Sequence, residues 1–216
     1  MRTDADLKRD VMAELAWDPT VESTAIGVAV KDGVVTLTGH IDTFAQKHAA
    51  ARAVRRVADV KAIALELDVK LAPDHKRSDT DIAASAEHAL KWNTLVPSDK
   101  IRLTVDHGWV WLRGEVDWEF QRRTVEKAIR PLMGVVGISN EITLRIRPLA
   151  ANVSRTIEAA LTRQAIREAK HIQVSVDGST VTLTGKVHSW QERDAAQGVA
   201  WTAPGVRAVI NELSVG

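Results

Sequence analysis

Cysteine and tyrosine are absent from this chain of 216 residues, and phenylalanine occurs only twice. Without cysteine there is no disulfide framework, no thiolate nucleophile and no thiolate metal site. No apolar run approaches the roughly 20 residues that a membrane-spanning helix needs, so no transmembrane segment is expected. A surplus of either charge is also missing: 29 Lys and Arg face 28 Asp and Glu. The balance is local, with 12 of each sign in residues 1–77, 10 of each in 78–147, and 7 against 6 in 148–216. Nucleic-acid binders carry a basic surplus, and its absence from every third of the chain argues against that partner. The segment from Met1 to Asp10 has no apolar core of a secretory signal. As it stands the chain is expected in the cytoplasm, and in the periplasm if an export signal has been removed.

Reactive constellations are missing as well. None of the seven histidines forms an i, i+4 pair or a His-Glu-x-x-His motif, which removes the usual helical zinc site. There is no Gly-x-Gly-x-x-Gly and no Walker loop. No catalytic residue, metal or cofactor is therefore assigned, and the chain is expected not to be an enzyme. With 45% hydrophobic and 26% charged residues, it nevertheless has the composition of a folded globular protein.

What the chain does contain is repetition. Leu37-Thr38-Gly39, Leu112-Arg113-Gly114 and Leu183-Thr184-Gly185 recur at offsets of 75 and 71 residues. At those offsets Leu7, Ile82 and Val153 align, as do Leu15, Leu90 and Leu161, Ile26, Ile101 and Ile172, Val60, Val135 and Val206, and Glu66, Glu141 and Glu212. A repeat of this length marks tandem copies of one supersecondary unit.

Each copy opens on Asp6, Asp81 or Asn152, residues suited to an N-cap. Apolar residues at i, i+4 and i+8 follow (Leu7, Val11, Leu15 in copy one), a helical stripe. Alternation at Ile26, Val28 and Val30, a turn at Asp32-Gly33, then Val35 and Leu37 predict a β-hairpin. Thr43 with Gln46, and Ser189 with Glu192, are capping boxes that start a second helix. Gly134 and Gly205 stand where a helix end needs a left-handed residue, and a last strand follows. The fold class is α/β (α+β): three tandem α-β-β-α-β units, each a three-stranded mixed sheet with two helices on one face. The crossover through the second helix predicts parallel pairing with the last strand. The units are expected over residues 4–70, 79–145 and 150–216. Proline-containing joins at Lys70–Ser78 and Arg145–Ala150 are read as extended linkers.

Two features suit binding. The second helix of copy two carries Arg122, Arg123, Lys127 and Arg130, a basic face that anionic phospholipid headgroups would attract or that water simply solvates. Trp109 and Trp111 alternate with Val110 and Leu112. If the latter pair faces the helices, the indoles share the uncovered side of the sheet. That side would meet a neighbouring repeat or subunit, a ligand or lipid, or solvent. Trp17 and Trp92, at equivalent places near the end of the first helix, are expected to be core or staple residues. Gly39, Gly114 and Gly185 follow the strand and are read as structural glycines of a tight turn and close packing, with phosphate cradling as the alternative.

The run Val181-Thr182-Leu183-Thr184-Gly185-Lys186-Val187, followed by Pro204-Gly205-Val206 and Asn211-Glu212-Leu213-Ser214-Val215, resembles the BON domain pattern. Copy two matches through Leu112-Arg113-Gly114-Glu115-Val116, Gly134-Val135 and Ser139-Asn140-Glu141-Ile142. Copy one departs at Asp59, which replaces the second glycine, and at Leu65, which replaces the asparagine. The resemblance implies a non-catalytic binding or scaffolding protein of stress or osmoprotection. Such a protein would contact phospholipid headgroups, an envelope component, a protein partner or itself. One branch of the family, linked to potassium, implies the alternative of a small-ion or small-ligand sensor. The family offers no catalytic residue to carry over.

Overall fold

The computed structural model describes residues 3–145, 152–163 and 171–215. Beyond Arg145, the second linker lies outside the described residues. The chain divides into two compact units, Met1–Val116 with Gln121–Thr143, and Asp117–Phe120 with Leu144–Gly216. The first holds copy one and most of copy two, and the second holds copy three.

Copy one runs α1 (Asp4–Trp17), β1 (Ile26–Lys31), β2 (Val34–Ile41), α2 (Phe44–Arg56) and β3 (Ala62–Val69). Copy two runs α3 (Asp79–Lys91), β4 (Ile101–Asp106), β5 (Trp109–Val116), α4 (Glu119–Ile129) and β6 (Gly137–Leu144). Copy three runs α5 (Val153–Arg163), β7 (Gln173–Asp177), β8 (Thr180–Val187), α6 (Trp190–Trp201) and β9 (Ala208–Val215). The sequence-derived α-β-β-α-β order therefore holds in each. In every sheet the second hairpin strand lies in the middle. β1 and β2 pair antiparallel while β2 and β3 pair parallel, and copy three repeats this. A parallel pair needs a crossover, and the second helix of each copy supplies it.

The cores follow the stripes. In copy one Leu7, Val11 and Leu15 of α1 and Ala50, Ala53 and Val54 of α2 bury against Val35, Leu37 and Leu67 of the sheet. The equivalent set in copy two is Ile82, Ala86, Leu90, Val110, Leu112, Val125, Ile129 and Ile142. Copy three closes around Val153, Ile157, Leu161, Val181, Leu183, Ala196, Val199 and Leu213.

Four local expectations are corrected. The first helices of copies one and two start earlier than expected: Thr3 and Ser78 are the N-caps, each hydroxyl accepting from the amide of Asp6 or Asp81 at 3.1 Å. Asp6 is the returning acid of a capping box, and the Asp81 carboxylate accepts from the Ser78 hydroxyl at 2.6 Å; such acids look like caps when only the first stripe residue is used as a marker. The first linker is not wholly extended, because Pro73–His75 forms one 3-10 turn. Trp17 and Trp92 are 83% and 78% exposed. Each stands two residues past the last stripe position, about 200° around the helix, and so points away from the core.

The fourth correction concerns Gly39, Gly114 and Gly185. They lie inside the middle strand rather than after it, at φ of 126°, 145° and 130°. A Cβ on each would collide with a main-chain carbonyl oxygen, that of Ala25, Lys100 or His171. A site filled by a carbonyl oxygen repels an anion, so the phosphate reading fails. The left-handed residue after the second helix is Gly134 (φ 87°) in copy two and Gly205 (φ 89°) in copy three, and Asp59 (φ 68°) takes that conformation in copy one.

Candidate functional site

The open face of the second sheet is built by strand alternation. Val110 and Leu112 of β5 are fully buried against the helices, so Trp109 and Trp111 emerge on the opposite side. Across β4, Thr104 is paired with Trp111 and Asp106 with Trp109. The Trp109 indole lies flat on Gly137 of β6, where a Cβ would collide with ring atoms Cε3 and Cζ3. Its Nε1–H donates to the Ser139 hydroxyl at 3.0 Å. Trp111 sits beside it, ring centroids 6.2 Å apart and planes tilted by 41°. Trp109 keeps 41% of its surface exposed, so one ring face rests on the backbone and the other meets water.

The rest of this face is polar. Arg113 donates to Glu141 at 2.7 Å, and Arg102, Thr104, Asp106 and Glu115 are exposed. Two arginines against three acids leave no basic surplus. Copy one has Val34, Thr36 and Ala62 at the positions of Trp109, Trp111 and Gly137, and copy three has Thr180, Thr182 and Ala208. The platform belongs to copy two alone.

The basic residues of α4, with Arg130 one residue past its end, do not form one free face. Arg123 and Lys127 are exposed. The Arg130 guanidinium donates to Glu126 at 2.6 Å, and Glu126 also accepts from Asn140 at 3.4 Å. Arg122 is half-buried and engaged. Its repeat equivalents explain the position: Lys47 donates to the Leu67 carbonyl at 2.8 Å, and Arg193 donates to the Leu213 and Asn211 carbonyls at 3.0 and 2.7 Å. In copies one and three a cation here ties the second helix to the last strand. Asn140 and Asn211 join the same two elements by donating to the Arg122 and Arg193 carbonyls, both at 3.2 Å. Copy one, with Leu65 at this place, relies on Lys47.

Within the first unit Arg130 also borders a cleft of about 160 Å³ with Thr43, His75 and Met133. This is smaller than the several hundred Å³ of ordinary ligand pockets. Nearby, burial holds the His48 imidazole below its ordinary pKa, assisted by the positive charge of Arg130. Burial would raise the Glu126 carboxyl, but the hydrogen bonds from Arg130 and Asn140 outweigh it and the net direction is down. Among the described residues no group of three or more His, Asp or Glu is placed to hold a metal ion, and no helix is long and apolar enough to cross a membrane.

Sequence reasoning missed two sets of side chains. Asp4 reaches from α1 to the first hairpin turn and accepts from the amides of Asp32 and Gly33 at 2.8 and 3.2 Å; Asp79 does the same for His107 and Gly108 at 2.8 and 2.9 Å. The shared offset of Asp4 and Asp79 was the available signal. Arg56 of α2 bridges to Glu14 and Asp18 at the end of α1, at 2.5 and 3.0 Å. No repeat signal marks that pair, because Ala89 and Asn93 stand at the acid positions in copy two.

The family model described as BON domain matches residues 3–70, 78–146 and 150–216, nearly the whole chain. A curated relative, osmotically-inducible protein Y of Escherichia coli (strain K12), is 27% identical over 143 residues, covering 62% of this chain and 71% of the relative. Two solved structures of CdsD, a structural protein of the type III secretion system of Chlamydia trachomatis, align at 16% identity with TM-scores of 0.27 and 0.25. The first alignment covers both chains in full, and the second covers 98% of this chain and 92% of that structure.

Proposed function

Because the chain belongs to the BON domain family, we propose that it is a stress-related, non-catalytic binding protein that docks on an envelope component through the open face of its second sheet. The family and the osmotically inducible relative support the stress-related binding role. The observation that carries the choice of surface is Trp109, held flat by Gly137 and Ser139 with its outer ring face in water. A pinned aromatic loses little conformational entropy on binding, which is what a recognition anchor needs. The exposed Trp17 and Trp92 have no comparable clamp from a glycine below and a hydroxyl at the indole nitrogen.

A second reading, contact with anionic phospholipid, is favoured by the exposed Arg123 and Lys127 on α4. Co-sedimentation of the full chain separates the two. Gram-negative envelope fragments are expected to carry the chain down, and the Trp109→Thr/Trp111→Thr variant is expected to stay in solution. An Arg123→Glu/Lys127→Glu variant is expected to sediment like the parent. Loss on charge reversal with retention by the Trp variant, together with salt-sensitive binding to phosphatidylglycerol vesicles, establishes the lipid reading instead.

A further inference from the structure

We propose that the Trp109–Trp111 face is a glycan platform, and that its ligand is a neutral chain of pyranose sugars stacked on the two indoles. This inference rests on the docking reading above and names the chemistry of the docked component.

One face of a pyranose is a set of axial C–H bonds, which pack on the electron-rich face of an indole. Such packing needs an aromatic lying parallel to the surface with its outer face open. Trp109 meets that condition because Gly137 removes the side chain that would otherwise lift it, and the bond to Ser139 fixes its rotation. The neighbouring Trp111 ring, 6.2 Å away and tilted by 41°, extends the surface as a shallow trough.

Charge then selects among ligands. Arg102 and Arg113 share the face with Asp106, Glu115 and Glu141. A polyanion would gain nothing from that balance, and an anionic bilayer would prefer another surface. Around the indoles stand Thr104, Asp106, Ser139 and the Arg113–Glu141 pair. These supply donors and acceptors at close intervals, as neighbouring sugar hydroxyls require. The two indoles have no aliphatic collar, whereas the core of a protein–protein interface is usually apolar.

The test uses the full chain with two neutral probes, cellotriose and triacetylchitotriose, followed by titration calorimetry and by the Trp109 indole N–H resonance. At least one probe is expected to bind saturably and shift that resonance. Trp109→Thr is expected to weaken binding by about tenfold or more, the scale of one lost aromatic contact. Gly137→Ala keeps both indoles but lifts the Trp109 ring, and is expected to weaken binding comparably. Should Gly137→Ala unfold copy two, Trp109→Thr, which carries the residue found at Thr180, still decides the matter. Absence of binding by both probes at millimolar concentration overturns the glycan assignment. If envelope sedimentation then still depends on the Trp pair, the docking reading survives; if the Trp variant sediments like the parent, that reading falls too.

Discussion

At the scale of single residues, the ionic contacts of copy one show what a shifted titration does to stability. The Thr20 hydroxyl and the Arg56 guanidinium both bond Asp18, and together they lower its pKa from 3.8 to about 2. A carboxyl depressed in the folded state contributes fully above its unfolded value, and the contribution fades as pH falls towards the folded one. Asp18→Asn is expected to cost copy one about 1 kcal/mol at neutral pH, a partly exposed charged hydrogen bond being worth that much. Thermal unfolding of parent and variant across pH should show the gap closing between pH 3.8 and about 2. Trp17 offers a contrasting case. Its place at the end of the helix suggests a core or staple residue, yet the i, i+4, i+8 stripe excludes it from the buried side. Angular position around the helix decides burial before hydrophobicity does. Trp17→Gln and Trp92→Gln are each expected to change stability by less than about 0.5 kcal/mol, as surface substitutions do, measured by denaturant unfolding.

At the scale of elements, the hairpin turns show how local strain is offset. In copies one and two both central turn residues are left-handed: Asp32 and Gly33, His107 and Gly108. This is the two-residue turn whose twist suits a hairpin. It leaves two amides pointing outward, and Asp4 or Asp79 accepts both. Asp79→Ala is expected to destabilise copy two by about 1.5–3 kcal/mol. His107→Asn, which suits the left-handed region better, is expected to stabilise it slightly; parallel thermal melts check both.

The packing of α2 near α4 adds an acid-sensitive element. The His48 imidazole is pushed below its ordinary pKa by burial and by Arg130, with Arg55 and Lys47 adding repulsion and Glu126 opposing it. A histidine whose folded pKa is depressed takes up its proton more readily when unfolded. The stability it supports is therefore complete above pH 6.5 and declines as pH falls below that value. His48→Gln is expected to flatten this decline in the melting temperature of the first unit; an unchanged slope would place the acid response elsewhere. The elements themselves were legible because the repeat shows each signal three times. The reach of Lys47 or Arg193 to a strand carbonyl was not legible, since a basic residue on a helix reads the same whether its head meets water or a backbone oxygen.

At the scale of the whole chain, one unit is copied three times and then diversified on its uncovered face. The cores repeat because each small sheet buries its apolar side under the same two helices. The open faces are free to differ, and copy two differs most, with two indoles and a glycine where its sisters carry threonine, valine and alanine. Register alone predicted which side the indoles take. That Trp109 would be clamped was hidden, because Gly137 and Ser139 come from a strand about thirty residues away whose alignment with β5 depends on the crossover. Hydroxyl-radical footprinting of the full chain, with and without envelope fragments, tests the central claim most directly, because Trp17 and Trp92 serve as exposed internal controls. Oxidation of Trp109 and Trp111 should fall when envelope is added while that of Trp17 and Trp92 stays unchanged; undiminished oxidation of Trp109, or protection confined to Trp17 and Trp92, would contradict the account.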